Sequence, residues 1–156
     1  MGGVAVSVKV DDKEVRKMLG GLLKRLGNST PATKILGAIV RTSIVRNFEK
    51  GGRPTKWKAL SPEILKTKKG TAILREQGMA GGLMGSVNYK PFSDKVVISA
   101  DKVYAAVHHF GIGRYSHIAT RRTMPAIPAR PYMMVQDEDW VEMKAALGDY
   151  IVQGKT

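Results

Sequence analysis

In the first half of the chain, apolar residues recur first with the period of a strand and then with the period of helices. Valine occupies every second position over 4–10, which predicts a half-buried strand. Over 11–27 the apolar spacing is helical, beginning at a capping box and ending at a glycine. A second helix is predicted over 30–50, where Pro31 follows a cap residue and a glycine pair follows the last turn. A third, short helix is predicted over 61–70.

The second half of the chain mixes short β-like stretches with helical ones. Two β-branched stretches at 86–92 and 95–100 are joined through a serine and an aspartate, which predicts a hairpin. The pattern then predicts a short helix, a long loop, a strand and a final helix, over 103–110, 111–129, 131–135 and 137–151. This order predicts an α+β fold. We expect a single domain over 1–156, with a small, mostly antiparallel sheet packed against several helices.

The apolar spacing of the later helices also predicts which of their residues are buried. Tyr104, Val107 and Phe110 recur at helical spacing and are expected to anchor the short helix in the core. Gly111 follows directly and is expected to end that helix with a positive φ. The buried stripe predicted for the final helix consists of Trp140, Met143, Leu147 and Ile151.

The charge of the chain is large and unevenly distributed. It has 26 Lys and Arg against 13 Asp and Glu, a net charge of +13. Residues 13–75 carry 16 basic and 3 acidic side chains, whereas 137–156 carry 2 basic and 5 acidic ones. A basic body followed by an acidic segment indicates a polyanionic partner or a complementary charged protein surface. The alternative is a solvated surface that only keeps the protein soluble.

The residues that most enzymes and metal sites need are scarce. The absence of Cys excludes a disulfide scaffold, a thiolate zinc site, an iron–sulfur cluster and a Cys nucleophile. Only three acids lie over 76–136, and none has an obvious catalytic partner. His108 and His109 are adjacent on a predicted helix and point about 100° apart, so they do not readily share a metal. We therefore expect no catalysis, no cofactor and no metal. The longest uncharged stretch, 77–89, is also too short to span a membrane.

Nucleic-acid binding is the main alternative that the composition leaves open. Trp57 lies among the basic side chains Arg53, Lys56, Lys58, Lys66, Lys68 and Lys69, so aromatic and basic groups are interleaved. A single tryptophan does not make a stacking platform, and the apolar residues that follow Trp57 also fit an aromatic lid on a helix. A small basic DNA-binding protein therefore remains an alternative function.

Three motifs occur in a distinctive order and spacing. They are FEKGGRPTKWKALSP at 48–62, VYAAVHHFG at 103–111 and IPARPY at 127–132, and an acidic helix start follows at Asp137. Together they resemble the phage virion morphogenesis family, the tail completion or head–tail joining proteins of Mu-like and P2-like tailed phages. The resemblance covers most of the chain, from 48 to about 151.

The resemblance implies a structural, non-enzymatic function. Members of this family are expected to form a closed homo-oligomeric ring, a hexamer that matches tail symmetry, at the head-proximal end of the tail. The implied partners are the tail tube, the head–neck or connector proteins and the DNA that passes through the lumen, with no membrane. The implied location is the virion tail or neck, with assembly in the host cytoplasm.

The resemblance and the charge pattern together assign candidate surfaces. The acidic final helix is expected to meet the basic 13–75 body of a neighbouring subunit, or that body is expected to line a lumen for DNA. The basic loop at 111–129 is a candidate docking surface, which we expect to be mobile in the free subunit and ordered in the particle. Candidate interface residues are Arg53, Lys56, Trp57, Arg114, Arg121, Arg122, Arg130, Asp137, Glu138 and Asp139.

The remaining motif residues are assigned structural roles. They are Tyr104, His108, Phe110, Gly111, Pro128 and Pro131. The two prolines stiffen the backbone around Arg130, so its guanidinium is well placed to bind a carboxylate or carbonyl oxygens. We expect an ion pair at Arg130, within the subunit or between subunits, and rank contact with DNA second.

Overall fold

The computed structural model describes residues 13–68, 70–75, 81–117 and 122–154. The predicted strand at 4–10 lies outside these ranges. Within them the chain forms five α-helices, and these are α1 (Lys13–Gly27), α2 (Thr30–Lys50), α3 (Pro62–Thr67), α4 (Ala105–Phe110) and α5 (Asp137–Gln153). Its strands are β1 (Val87–Pro91), β2 (Val96–Ala100), β3 (Tyr115–His117) and β4 (Arg122–Met124). The predicted α+β fold is confirmed.

Local sequence signals fix the ends of the early helices. α2 has a proline in its first turn and ends at Gly51, which takes the left-handed conformation at φ 66°. α3 begins after Ser61, whose side-chain oxygen accepts a hydrogen bond from the Ile64 N–H (3.4 Å). Both helices therefore lie where capping residues predicted them.

α2 is the central helix of the fold, because β1 and β2 pack against it on one side and α5 on another. β1 and β2 form the predicted antiparallel hairpin, with Val87 opposite Ala100. Arg41 on α2 donates from Nε to the Val87 carbonyl (2.9 Å). Gly37 lets α2 approach β1 closely, since a Cβ there would lie 2.3 Å from the Tyr89 ring.

The core is formed where α2, β1, α5 and the segment after Ala129 meet. Its buried apolar residues include Val40, Ile44, Phe48, Trp57, Leu83, Met84, Val87, Tyr132 and Met143. The strand predicted over 131–135 is wrong, because this segment has no strand pairing. Its carbonyl groups are used differently: Asn47 Nδ2 donates to the carbonyl oxygens of Tyr132 (2.8 Å) and Met134 (3.2 Å).

The final helix presents a different face to the core than its apolar pattern predicts. Its buried residues are Asp139, Met143 and Tyr150, whereas Trp140 is 53% exposed and Ile151 is also exposed. The helix is rotated because the buried Asp139 carboxylate caps its own N-terminus and bonds to α2. The predicted burial of Trp140 and Ile151 is therefore wrong.

The short helix α4 also differs from expectation. Phe110 is 76% exposed and Tyr104 is exposed as well, so their predicted core role is wrong. Ala105 is the buried residue of α4, and its carbonyl accepts from the Tyr132 hydroxyl (3.2 Å). Gly111 has the predicted positive φ, 74°.

The segment predicted as a loop over 111–129 contains paired strands. β3 and β4 are antiparallel, with Ser116 opposite Thr123, and a bridge joins Ile112 to Ile127 at their base. We call the described residues 112–117 and 122–127 the arm. Gly111 lies where the arm leaves the core, and a Cβ there would lie 2.6 Å from the Ala129 backbone nitrogen. In the ranges described, no helix has the length and apolar character needed to cross a membrane.

Candidate functional site

The three sequence motifs meet at one aromatic cluster, which we call the motif junction: Phe48, Trp57, His109, Pro131 and Tyr132. The Phe48 ring lies 5.7 Å from Trp57 and 5.0 Å from Tyr132, and the His109 ring lies 5.1 Å from Tyr132, all centroid to centroid. Trp57 Nε1 donates to the Pro131 carbonyl (3.0 Å). Trp57 is buried here, so its ring joins the motifs to one another.

Arg130 is the most deeply buried cation that the described residues contain, at 4% exposure. Its backbone N–H donates to the His108 carbonyl (2.9 Å), and its guanidinium Nη2 donates to the Lys58 carbonyl (3.3 Å). Its Nε is buried and has no hydrogen-bond partner within the described part of the chain. The guanidinium thus binds a carbonyl, one of the two predicted ligand types, and the described residues place no carboxylate on it.

The adjacent histidines have separate environments. The His108 ring makes an edge contact with Tyr104 (5.6 Å between centroids), and its buried Nδ1 has no partner among the described groups. Burial lowers the pKa of His108, and the positive charges of Arg130 and Lys68 lower it further. Burial also lowers the pKa of His109, whose Nδ1 accepts a long hydrogen bond from the Tyr132 N–H (3.4 Å). Across the described ranges, no cluster of three potential metal ligands occurs.

Arg53 organises a second set of polar contacts, the Arg53 network: Ser43, Asn47, Arg53, Glu138 and Asp139. Arg53 donates from Nε to Asn47 Oδ1 (2.9 Å) and from Nη2 to Ser43 O (3.0 Å) and Oγ (2.7 Å), and its Nη1 is paired with Glu138. Ser43 Oγ in turn donates to Asp139 Oδ2. Two of the three candidate interface acids therefore bind their own chain.

A groove of about 1130 Å³ lies between α3, α4 and the base of the arm. We define the groove by six of its lining residues: Lys58, Leu60, Ile64, Lys68, His108 and Arg130. Most of its wall is apolar, and the unpartnered nitrogens of His108 and Arg130 belong to residues that line it. Glu63 is the one acid in the described lining, so the groove has a net positive charge. Lys58 and Lys68 were noted in the sequence only as cations near Trp57.

The other candidate interface residues that the structure describes do not line the groove. Lys56 is exposed and donates to the Lys50 carbonyl, and Asp137 is exposed at the start of α5. Arg114 is exposed on the arm and Arg122 lies on β4, while Arg121 lies outside the described residues. The buried polar residues Ser43 and Asn47 were missed, because nothing in their local sequence separates them from an exposed helix face.

Comparison with known proteins gives the class of protein to which the motif junction, the groove and the arm belong. The chain matches the phage virion morphogenesis family over residues 10–151 and belongs to that family. It is similar to the Mu-like prophage FluMu G protein 2 of Haemophilus influenzae, with 28% identity over 138 residues, which cover 88% of this chain and 89% of the relative. No solved structure matches the chain. The protein therefore has a structural role in phage morphogenesis and is associated with the virion.

Proposed function

We propose that this chain is a tail completion subunit, which forms a closed ring at the head–tail junction of a tailed phage. One observation carries the proposal. The three family motifs fold into a single internal junction, and residues of all three motifs line the groove beside it. A role of this kind needs a rigid body with surfaces for neighbours, and the motifs supply the rigid body.

The exposed face of α5 supports self-assembly. Val141 is 69% exposed and Val152 is 64% exposed, and Trp140, which precedes Val141, is 53% exposed. A contiguous apolar surface on a small domain is typical of a protein contact. Because this face and the groove are different surfaces, a contact between them would be head-to-tail, the type that closes into a ring. Six subunits would match the symmetry expected of a tail.

A non-catalytic role fits how the motif side chains are used. Glu138 pairs with Arg53, and Asp139 accepts hydrogen bonds from Ser43 and from the Gln136 backbone (2.7 Å for the latter). These carboxylates hold α5 in place, so they are not free to act as general acids or bases.

The test of this function has two parts. Sedimentation velocity and electron microscopy of the purified protein should show a ring of about six subunits. A phage with a stop codon in the gene should accumulate filled heads and separate tails, and supplying the wild-type chain should restore joined particles. Normal virion yield from the stop-codon phage would reject the proposal.

The runner-up function is that of a small DNA-binding protein, which the net charge of +13 and the exposed Arg114 on the arm favour. It predicts a monomer whose affinity for duplex DNA falls steeply as salt rises. Fluorescence anisotropy with labelled DNA at increasing salt, on the same samples as the sedimentation experiment, distinguishes the two functions.

A further inference from the structure

We propose that the groove of one subunit receives the outward face of α5 from a second copy of the chain. The groove and the α5 face are then the two halves of one head-to-tail contact. This inference rests on the proposed ring and specifies which surfaces close it.

The chemistry of the groove defines what can fill it. Arg130 and His108 line the groove with buried nitrogens that lack partners in the described chain. Lys58 and Lys68 add positive charge, and Lys68 Nζ donates to the Ala72 carbonyl (2.5 Å). A buried guanidinium without a carboxylate is unfavourable, and an entering carboxylate would relieve that. An occupant that brings a carboxylate and apolar groups together therefore matches the described lining of the groove.

The outward face of α5 has this composition. Exposed small or apolar residues follow one another at spacings of four, three and four, and they are Val141, Ala145, Gly148 and Val152. This spacing places them in one stripe along the helix. Glu142 and Asp149, seven residues apart, flank one side of the stripe and are exposed. Gly148 has no atom within 4 Å of a built Cβ, so the middle of the stripe is open to a close approach.

Charge complementarity favours a second copy as the occupant. The acids of α5 nearest its own body, Glu138 and Asp139, are already bonded within the chain. Glu142 and Asp149 point away, while the groove cations Arg130 and Lys68 have no acidic partner among the described residues. A DNA strand would satisfy the cations but would leave the apolar wall of the groove exposed to water. A neighbour's α5 satisfies both.

The experiment compares one variant of the groove, at the half-buried Lys68, and one of the exposed α5 face with matched controls by sedimentation velocity over a concentration series. Lys68→Glu alters the groove, and its control Lys34→Glu makes the same charge change at an exposed site on α2. Val141→Arg alters the α5 face, and its control Val97→Arg makes the same change at an exposed site on β2. Circular dichroism verifies that all four variants fold. We expect each contact variant to raise the half-assembly concentration about tenfold or more, and the controls to match wild type.

Mixing the two contact variants gives the sharpest result. The groove variant retains an intact α5 face, and the α5 variant retains an intact groove, so one good contact can form between them. The mixture should give heterodimers that do not grow further, which is the signature of a head-to-tail contact.

The outcomes separate this inference from the proposed function. If wild type and both contact variants form the same ring, the ring stands and the groove contact is overturned. If wild type stays monomeric at every concentration, the ring is overturned and the inference with it. If Lys68→Glu abolishes DNA binding and leaves assembly unchanged, the groove is a nucleic-acid site and the inference is wrong.

Discussion

Replacing Arg53 with alanine should destabilise the subunit by much more than replacing its ion-pair partner. The Arg53 side chain connects Asn47 and Ser43 on α2 with Glu138 at the start of α5. Asn47 is fully buried, so its Oδ1 would lose its donor and find no water. Arg53→Ala therefore removes charged hydrogen bonds from buried acceptors, whereas Glu138→Gln removes only a partner that lies largely in solvent.

The magnitudes follow from burial. Leaving a buried acceptor such as Asn47 Oδ1 unpaired costs about 1–3 kcal/mol. The lost bonds to Ser43 add about 1 kcal/mol, because its hydroxyl keeps its bond to Asp139. The pair with Glu138, whose side chain is 66% exposed, contributes about 0–1 kcal/mol. We expect a loss of about 2–5 kcal/mol for Arg53→Ala and of at most about 1 kcal/mol for Glu138→Gln.

Urea denaturation at neutral pH measures both changes, with protein dilute enough that assembly does not add to stability. Arg46→Ala is the matched control, because Arg46 is an exposed arginine on α2 and its loss should change stability by no more than about 0.5 kcal/mol. Arg53→Lys should recover little, since an ammonium cannot reproduce the guanidinium fork. Equal losses for Arg53→Ala and Glu138→Gln, or full recovery with lysine, would show that only the charge of Arg53 counts and would refute this reasoning.

Three further changes test other parts of the fold. Burial lowers the pKa of His108 below its ordinary 6.5, so the unfolded chain binds more protons than the folded one. The stability of the wild-type protein should therefore fall as the pH drops below about 6.5. In His108→Gln the urea midpoint should fall less than in wild type between about pH 7.5 and 5.5, and an equal fall would contradict this prediction. Gly111→Ala should cost about 2 kcal/mol or more, because φ is 74° and the new Cβ meets the Ala129 backbone; an unchanged urea midpoint refutes it. Gly37→Ala should be destabilising, because the new Cβ would overlap the Tyr89 ring. This steric effect should exceed the advantage of about 1 kcal/mol that alanine has over glycine inside a helix. A thermal midpoint above that of wild type would show that the ring moves aside at little cost.

The elements that the sequence predicted well are those whose signals are local. The proline and the glycines that bound α2, the cap at Ser61 and the two-residue turn of the β1–β2 hairpin act within a few residues of themselves. A periodic pattern between such signals is then sufficient to place a helix or a strand. For this reason the helix predicted over 30–50 was confirmed at both ends, and the hairpin strands were confirmed with differences of one residue at three of their four ends.

Two of the wrong predictions, the strand over 131–135 and the buried face of α5, share a different cause, which is a hydrogen bond between residues far apart in the chain. The local sequence of 131–135 predicts a strand, but the side chains of Asn47 and Trp57 donate hydrogen bonds to its carbonyl groups. The α5 face was misplaced because Asp139, a residue that normally faces water, is buried against Ser43. Apolar periodicity contains no record of such bonds.

The candidate site was predictable only in part for the same reason. The prolines around Arg130 indicated a guanidinium that binds a carboxylate or carbonyl oxygens, with an ion pair expected first. Among the described residues it binds the Lys58 carbonyl and no carboxylate. The resemblance placed the three motifs in one family pattern. Arg53 was selected for its charge as an interface residue, yet its side chain holds α2 to α5 within one subunit. The groove could not be predicted, because its wall combines residues from α3, α4 and the end of the arm.

The net charge constrains how a ring of this protein could hold together. Every subunit is strongly positive, so neighbours repel at distances within the Debye length, about 10 Å at moderate salt. A few carboxylates such as Glu142 and Asp149 cannot offset that repulsion and instead set the register of the contact. Burial of Val141 and Val152 in the proposed contact must therefore supply most of its free energy. Added salt should then strengthen assembly at first, because it screens the repulsion between subunits. The same salt should weaken any binding of DNA to the basic side chains of the protein.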